Sequence, residues 1–192
     1  MRRRNIQLDA LDRVVAVLFK DNFPLADENV PAVFAVRARN VRVRTFSVRD
    51  DGCGMAPDFL ARVTDPFTTT RKTRKVGLGL PLLKMTAQAT GGEMSIASKP
   101  GEGTTVRVTF GLSHIDRPPM GDVPGVLYTL VLMNPTTDFR FALDYDGKTF
   151  ALDTREVREA VAPIPLNHPE ISAWIRDCLK QNIDELHGGV FS

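Results

Sequence analysis

Only two cysteines stand in the 192 residues, Cys53 and Cys178, and neither belongs to a CxxC or cysteine–histidine pattern. Such a sequence suggests neither a disulfide framework nor a zinc site, and the thiols read as free groups in a reducing compartment. Long hydrophobic runs are missing as well: nothing approaches the roughly 18 apolar residues that a membrane-crossing helix needs. The MRRR start leads into mixed polar and apolar residues, unlike the apolar stretch of a signal peptide. A cytoplasmic protein without membrane attachment is expected. There is little charge of one sign, with a formal net charge of +2. Residues 1–50 carry ten Lys/Arg against six Asp/Glu, and residues 138–192 carry six against ten. The arginines of VRVRTFSVR alternate with apolar residues as on the solvent face of a strand, which disfavours nucleic acid as a partner.

What is present is enough apolar material, 43% of the chain, for one sizeable core and a smaller appended unit. Leu8, Leu11, Val14, Val15 and Leu18 recur at helical spacing, so residues 6–20 are expected to form an amphipathic helix that Phe23-Pro24 ends. VFAVRAR and VRVRTFSVR read as strands. PDFLARV reads as a short helix, and TDPFTTTRKTRK as a polar loop. GLGLPLLKMTAQATGG is a glycine turn feeding a helix, with Pro81 in its first turn and Gly91-Gly92 as the stop. EMSIAS and TTVRVTFGL form a hairpin around KPGEG. The Pro- and Gly-rich SHIDRPPMGD, residues 113–122, reads as a linker. Beyond it come a helix (VPGVLYTLVLM), the hairpin FRFALDYDGKTFALDT with Asp146-Gly147 at its turn, a helix capped by Asp153 or Thr154, and a last helix from about His168 to Leu186.

Three stretches carry chemistry. In RDDGCGM, an aspartate at a strand end can accept a hydrogen bond from an exocyclic amine, and Gly52 and Gly54 let the backbone approach a flat ring. Taken alone, DDG is also an ordinary turn. Gly77-Leu78-Gly79 opens a helix whose backbone N–H groups can receive phosphate oxygens, and Arg71, Lys72, Arg74 and Lys75 precede it. A solvated charge run before a glycine turn is the plainer alternative. No third glycine completes a dinucleotide fingerprint, since Leu82 stands there, and no GK[ST] is present. Thr104 and Thr105, after Gly101-Glu102-Gly103, can reach the same pocket or simply complete a hairpin turn.

The order and spacing of these motifs over residues 46–112 resemble the ATP-binding domain of the histidine-kinase-like (GHKL) ATPase superfamily, which includes sensor kinases, gyrase B and the MutL repair proteins. The run from DPFTTTRKTRKVGLGLPLLK to SHIDRPPMGD is similar to small stand-alone bacterial ATP-binding proteins of that superfamily. The resemblance implies an α+β fold, a two-layer α/β sandwich with helices on one face of a mixed sheet, here with a small C-terminal α+β extension. The division implied is an ATP-binding domain over residues 1–112, atypical over 1–45, the linker 113–122, and an extension over 123–192. By the same resemblance Asp50, Gly52 and Gly54 hold adenine, and Phe67 opens the ATP lid. Arg71, Lys72, Lys75, Gly77, Leu78 and Gly79 surround the phosphates, and Thr104 and Thr105 close the pocket. Lys75 stands where sensor kinases usually carry glycine. Asn22 takes the place of the asparagine that coordinates Mg²⁺, although Leu18 occupies the position of the usual acidic residue or His and Pro24 would break the helix. Asn29, beside Glu28, is a second candidate.

The cofactors implied are ATP and Mg²⁺. The function expected is that of an ATP-binding regulatory protein, with the γ-phosphate passing to His or Ser of a separate protein partner. Two alternatives stand beside it: an ATP-gated interaction module without phosphotransfer, and a degenerate member with impaired Mg-ATP binding. Catalytic residues are not assigned. His114 sits in an HxxRxP match to a phosphoacceptor box, but Pro118-Pro119 forbids the long helix an acceptor histidine uses, so His114 and Asp116 are read as pinning the linker. His168 and His187 offer less still.

Overall fold

The computed structural model describes residues 32–38, 43–66, 68, 78–111, 113–115, 121–145 and 148–187. The amphipathic helix expected over 6–20 lies outside these residues, as do the turn residues Asp146 and Gly147.

The first elements among the described residues are two strands, β1 (Ala32–Ala38) and β2 (Val43–Asp50). A single helical turn, α1 (Pro57–Leu60), follows, and then α2 (Gly79–Ala89). The hairpin β3 (Met94–Lys99) and β4 (Gly103–Gly111) precedes α3 (Val123–Met133). A second hairpin, β5 (Phe139–Tyr145) and β6 (Lys148–Asp153), leads to α4 (Thr154–Val161) and α5 (Pro169–His187).

The six strands form one sheet in the order β3-β4-β2-β1-β5-β6. Every pairing is antiparallel except β1 with β5, which is parallel. The hairpin expected in the C-terminal extension therefore continues the sheet that holds the ATP motifs. It joins through a pairing that no local pattern in the sequence announces.

Side chains alternate between the two faces of a strand. On one face Phe46 and Val48 of β2 lie beside Val108 and Val106 of β4, and Phe139, Phe141 and Leu143 of β5 and Leu152 of β6 are buried too. The other face carries Arg49, Arg107 and Arg140, all exposed. The helices cover the apolar face, contributing Leu80, Leu83 and Ala87 from α2, Val123, Leu127 and Val131 from α3, and Ile175, Leu179 and Ile183 from α5 to a common core. Each of the Val, Leu and Ile side chains, fully removed from water, stabilises the fold by about 1.5–3 kcal/mol before the entropy of ordering is subtracted. The result is the two-layer α/β sandwich. No helix among the described residues is long and apolar enough to cross a membrane.

Local chemistry sets the helix ends. Asp122 caps α3 by accepting the Gly125 N–H at 2.9 Å, and Pro124 sits in the first turn, where its missing N–H costs nothing. Asp153 caps α4 in the same way, accepting the Arg155 N–H at 2.9 Å. Thr154, the other capping candidate, is fully buried, and its Oγ1 accepts the Phe139 N–H at 2.8 Å.

Candidate functional site

Asp50 ends β2 on the apolar face, in line with Phe46 and Val48, and it is buried. Its Oδ1 accepts the Gly52 N–H at 2.9 Å, so the carboxylate itself turns the chain out of the strand. Burial pushes the Asp50 carboxyl above the ordinary value of 3.8; the backbone N–H groups of Gly52 and Thr104 oppose that, and neighbouring Asp51 adds to it.

The loop from Gly52 to Met55 is locked against the β3–β4 turn. The Gly101 N–H donates to the Cys53 carbonyl at 2.9 Å, and the Met55 N–H donates to Ser98 Oγ at 2.8 Å. Contact is so close that a Cβ on Gly54, whose φ is +64°, would fall 2.0 Å from the Lys99 carbonyl oxygen. Only glycine serves at that point. Thr104 lies directly across the ladder from Asp50 and is buried on the same face. Thr105 pairs with Arg49 on the opposite face, so of the two threonines expected at the pocket only Thr104 is brought beside the aspartate.

Leu78 and Gly79 stand at the start of α2, and no described side chain caps that end. Leu82 N–H already bonds the Leu78 carbonyl, which leaves the N–H groups of Gly79 and Leu80 in the first turn for an anion. Lys84 of α2 donates to Thr64 Oγ1 at 3.4 Å, tying the helix to the segment that enters the DPFTTT stretch. Phe67, Arg71, Lys72, Lys75 and Gly77 lie outside the described residues, as do the metal candidates Asn22 and Asn29. Among the described residues no three His, Cys, Asp or Glu side chains group as metal ligands. His114 is exposed in the turn after β4 and is not on a helix.

Sequence reasoning passed over Ser98. It stands on β3 at the same parity as Met94 and Ile96, both partly buried against the core. A hydroxyl at the end of an inward-facing apolar row was the available signal.

An acceptor at the end of a strand, a close-packed glycine loop beside it and an uncapped helix end suit a nucleotide: amine, ring and phosphates. Residues 14–114 match the model of the histidine kinase-, DNA gyrase B-, and HSP90-like ATPase family. The chain belongs to that family. Its ATP-binding domain thus spans more than half of the sequence, and the motifs described above all fall inside it.

Among individual relatives, the chain is 39% identical over 69 residues to the sensor histidine kinase YkoH of Bacillus subtilis, a match covering 33% of this chain and 15% of YkoH. It is 40% identical over 76 residues to the non-motile and phage-resistance protein of Caulobacter vibrioides, covering 37% and 9%. It is 36% identical over 86 residues to the signal transduction histidine-protein kinase AtoS of Escherichia coli, covering 40% and 14%. The matched stretch is thus a small part of each relative's length. Among solved structures, that of full-length ShkA in complex with AMPPNP aligns at a TM-score of 0.41 and 25% identity, over 56% of this chain and 22% of that one.

Proposed function

We propose that the chain binds Mg-ATP and acts as a kinase-type regulatory module in signal transduction, passing the γ-phosphate to a His or Ser of a separate protein partner. The observation that carries this reading is the buried Asp50 carboxylate, held at the end of β2 by Gly52 and backed by the β3–β4 turn, in a chain of this ATPase family. In this reading Asp50 accepts a hydrogen bond from the exocyclic amine of adenine, and the backbone of Gly52 and Gly54 lies against the ring. Gly79 and Leu80 N–H groups receive phosphate oxygens, with Arg71, Lys72 and Lys75 adding charge from the preceding segment. Asn22 would hold Mg²⁺ through its side-chain oxygen. Bound ATP would supply the transferable phosphoryl group, and the chain's cations would stabilise its charge during in-line transfer.

The test is the thermal midpoint with ATP, ADP and GTP, with and without Mg²⁺, followed by incubation of [γ-³²P]ATP with partner candidates. A ligand that binds only the folded state raises the midpoint, and the rise should be specific to adenine nucleotides. Nucleotide-dependent association without label transfer would replace the kinase reading by an ATP-gated interaction module, and no midpoint rise with any nucleotide would refute both.

A further inference from the structure

We propose that Ser98 is a positioning residue that fixes Thr104 as a hydrogen-bond acceptor, so that the pocket prefers a purine with a 6-amino group over one with a 6-oxo group. The inference rests on the reading of Asp50 as the anchor of the base.

Ser98 Oγ has three polar neighbours: the Met55 N–H at 2.8 Å, the Gly103 carbonyl at 3.0 Å and Thr104 Oγ1 at 2.9 Å. A hydroxyl has one proton to give and two lone pairs to receive with. The Met55 N–H can only donate and the Gly103 carbonyl can only accept, so Ser98 spends its proton on Gly103. In the third contact Thr104 must therefore be the donor. The Thr104 hydroxyl makes no other hydrogen bond among the described residues, and it is left with lone pairs alone.

Thr104 faces Asp50 across the β2–β4 ladder, where side chains of opposed residues stand roughly 4.5–5.5 Å apart at Cβ. The strand ends thus offer two acceptors side by side. A 6-amino group brings two N–H donors to them, whereas a 6-oxo group brings only more lone pairs. Asp50 alone is an ambiguous reader, because burial favours its protonated form and a protonated carboxyl donates. Thr104, held by Ser98, has no such second state.

The test is the ratio of ATP to GTP affinity of the full chain, measured by competition against a fluorescent ATP analogue, for wild type, Ser98→Ala and Ser98→Thr. Ser98→Ala releases the Thr104 hydroxyl to rotate and donate, and the ratio falls about tenfold; Ser98→Thr restores the hydroxyl and keeps the ratio. A merely structural role for Ser98 weakens both nucleotides alike, and an unchanged ratio in Ser98→Ala overturns the inference. Should that variant fail to fold, Ser98→Cys keeps the volume with a much weaker acceptor and is held to the same fall. Wild type binding ATP and GTP equally overturns the inference while leaving the site in place. Wild type binding neither removes the reading of the site and this inference with it.

Discussion

Gly103 passes so close to Asp50 that a Cβ on the glycine would lie 2.1 Å from the Asp50 carbonyl oxygen. The two residues are held together by main chain, at the point where β4 begins beside the end of β2. Gly103 also has a φ of +91°, which L side chains rarely adopt. Gly103→Ala is accordingly expected to destabilise the fold by more than about 2 kcal/mol, through strain and displacement of the β2 end. Urea unfolding measures this, and a midpoint equal to wild type would contradict it.

Asp50→Asn keeps an acceptor for the Gly52 N–H but puts a permanent NH₂ donor in place of a carboxyl oxygen. The ATP-dependent rise in thermal midpoint should be lost. The unliganded variant carries a second signature. Because burial raises the Asp50 carboxyl, the folded state holds that proton more tightly than the unfolded state. The stability contributed by the protonated form is complete below the ordinary value of 3.8 and is lost as pH rises through the raised value. Wild type should therefore lose stability relative to Asp50→Asn as pH climbs from about 4. Parallel pH profiles would show that Asp50 titrates in the folded state as it does in the unfolded one.

The two thiols should react differently. Cys53 is exposed in the loop between Gly52 and Gly54, while Cys178 is half-buried on α5 and burial raises its thiol above the ordinary value of 9.0. At pH 8, iodoacetamide should modify Cys53 about tenfold faster or more, since the thiolate is the reactive form. ATP should slow the reaction of Cys53 and leave that of Cys178 unchanged. Equal rates, followed by peptide mass spectrometry, would count against this assignment.

Thr154→Val preserves shape and deletes the acceptor of the Phe139 N–H in a fully buried position. Losing that buried hydrogen bond costs about 1–3 kcal/mol, and Thr154→Ser, which keeps the hydroxyl, should recover most of it. Guanidinium unfolding of the pair decides the matter; equal losses in both variants would point to packing instead of the hydrogen bond.

Trp174, the single tryptophan, stands on α5 and reports on the C-terminal helix. Leu179, on the same helix, is fully buried in the core, and Leu179→Ala should cost about 2–5 kcal/mol. Because the strands near the site and α5 share one core, Trp174 fluorescence and release of a fluorescent nucleotide should follow a single transition in denaturant. Two separated transitions would mean that the C-terminal elements form an independent unit.

The sequence made local features readable and left distant ones hidden. The α3 helix runs from Val123 to Met133 as its apolar stretch implied, and both hairpins stand where alternation and turn residues placed them. Asp50 stood out in the sequence through the order and spacing of the motifs around it, since DDG alone is also an ordinary turn. The parallel pairing of β1 with β5 was not legible, since it joins segments far apart in the chain and leaves no periodic mark on either. Neither were the opposite faces of Thr104 and Thr105, which depend on strand parity, nor the contacts of Ser98, whose partners come from two other segments, Met55 after β2 and the adjacent Gly103 and Thr104 at the start of β4. Arg71, Lys72 and Lys75, expected at the phosphates, and Asn22, expected at Mg²⁺, fall outside the described residues.

The pairing of β1 with β5 also bears on how the protein is made. β1 ends at Ala38 and β5 begins at Phe139, so the second neighbour of β1 leaves the ribosome about 100 residues later, a delay on the order of 5–20 s at usual rates of translation. During that interval the nascent chain already carries its nucleotide motif beside a strand with one bare edge, and a bare edge is a template for the wrong partner. Only when β5 arrives does that edge of β1 gain its native partner, and the sheet that carries the nucleotide motif is closed on both sides of β1.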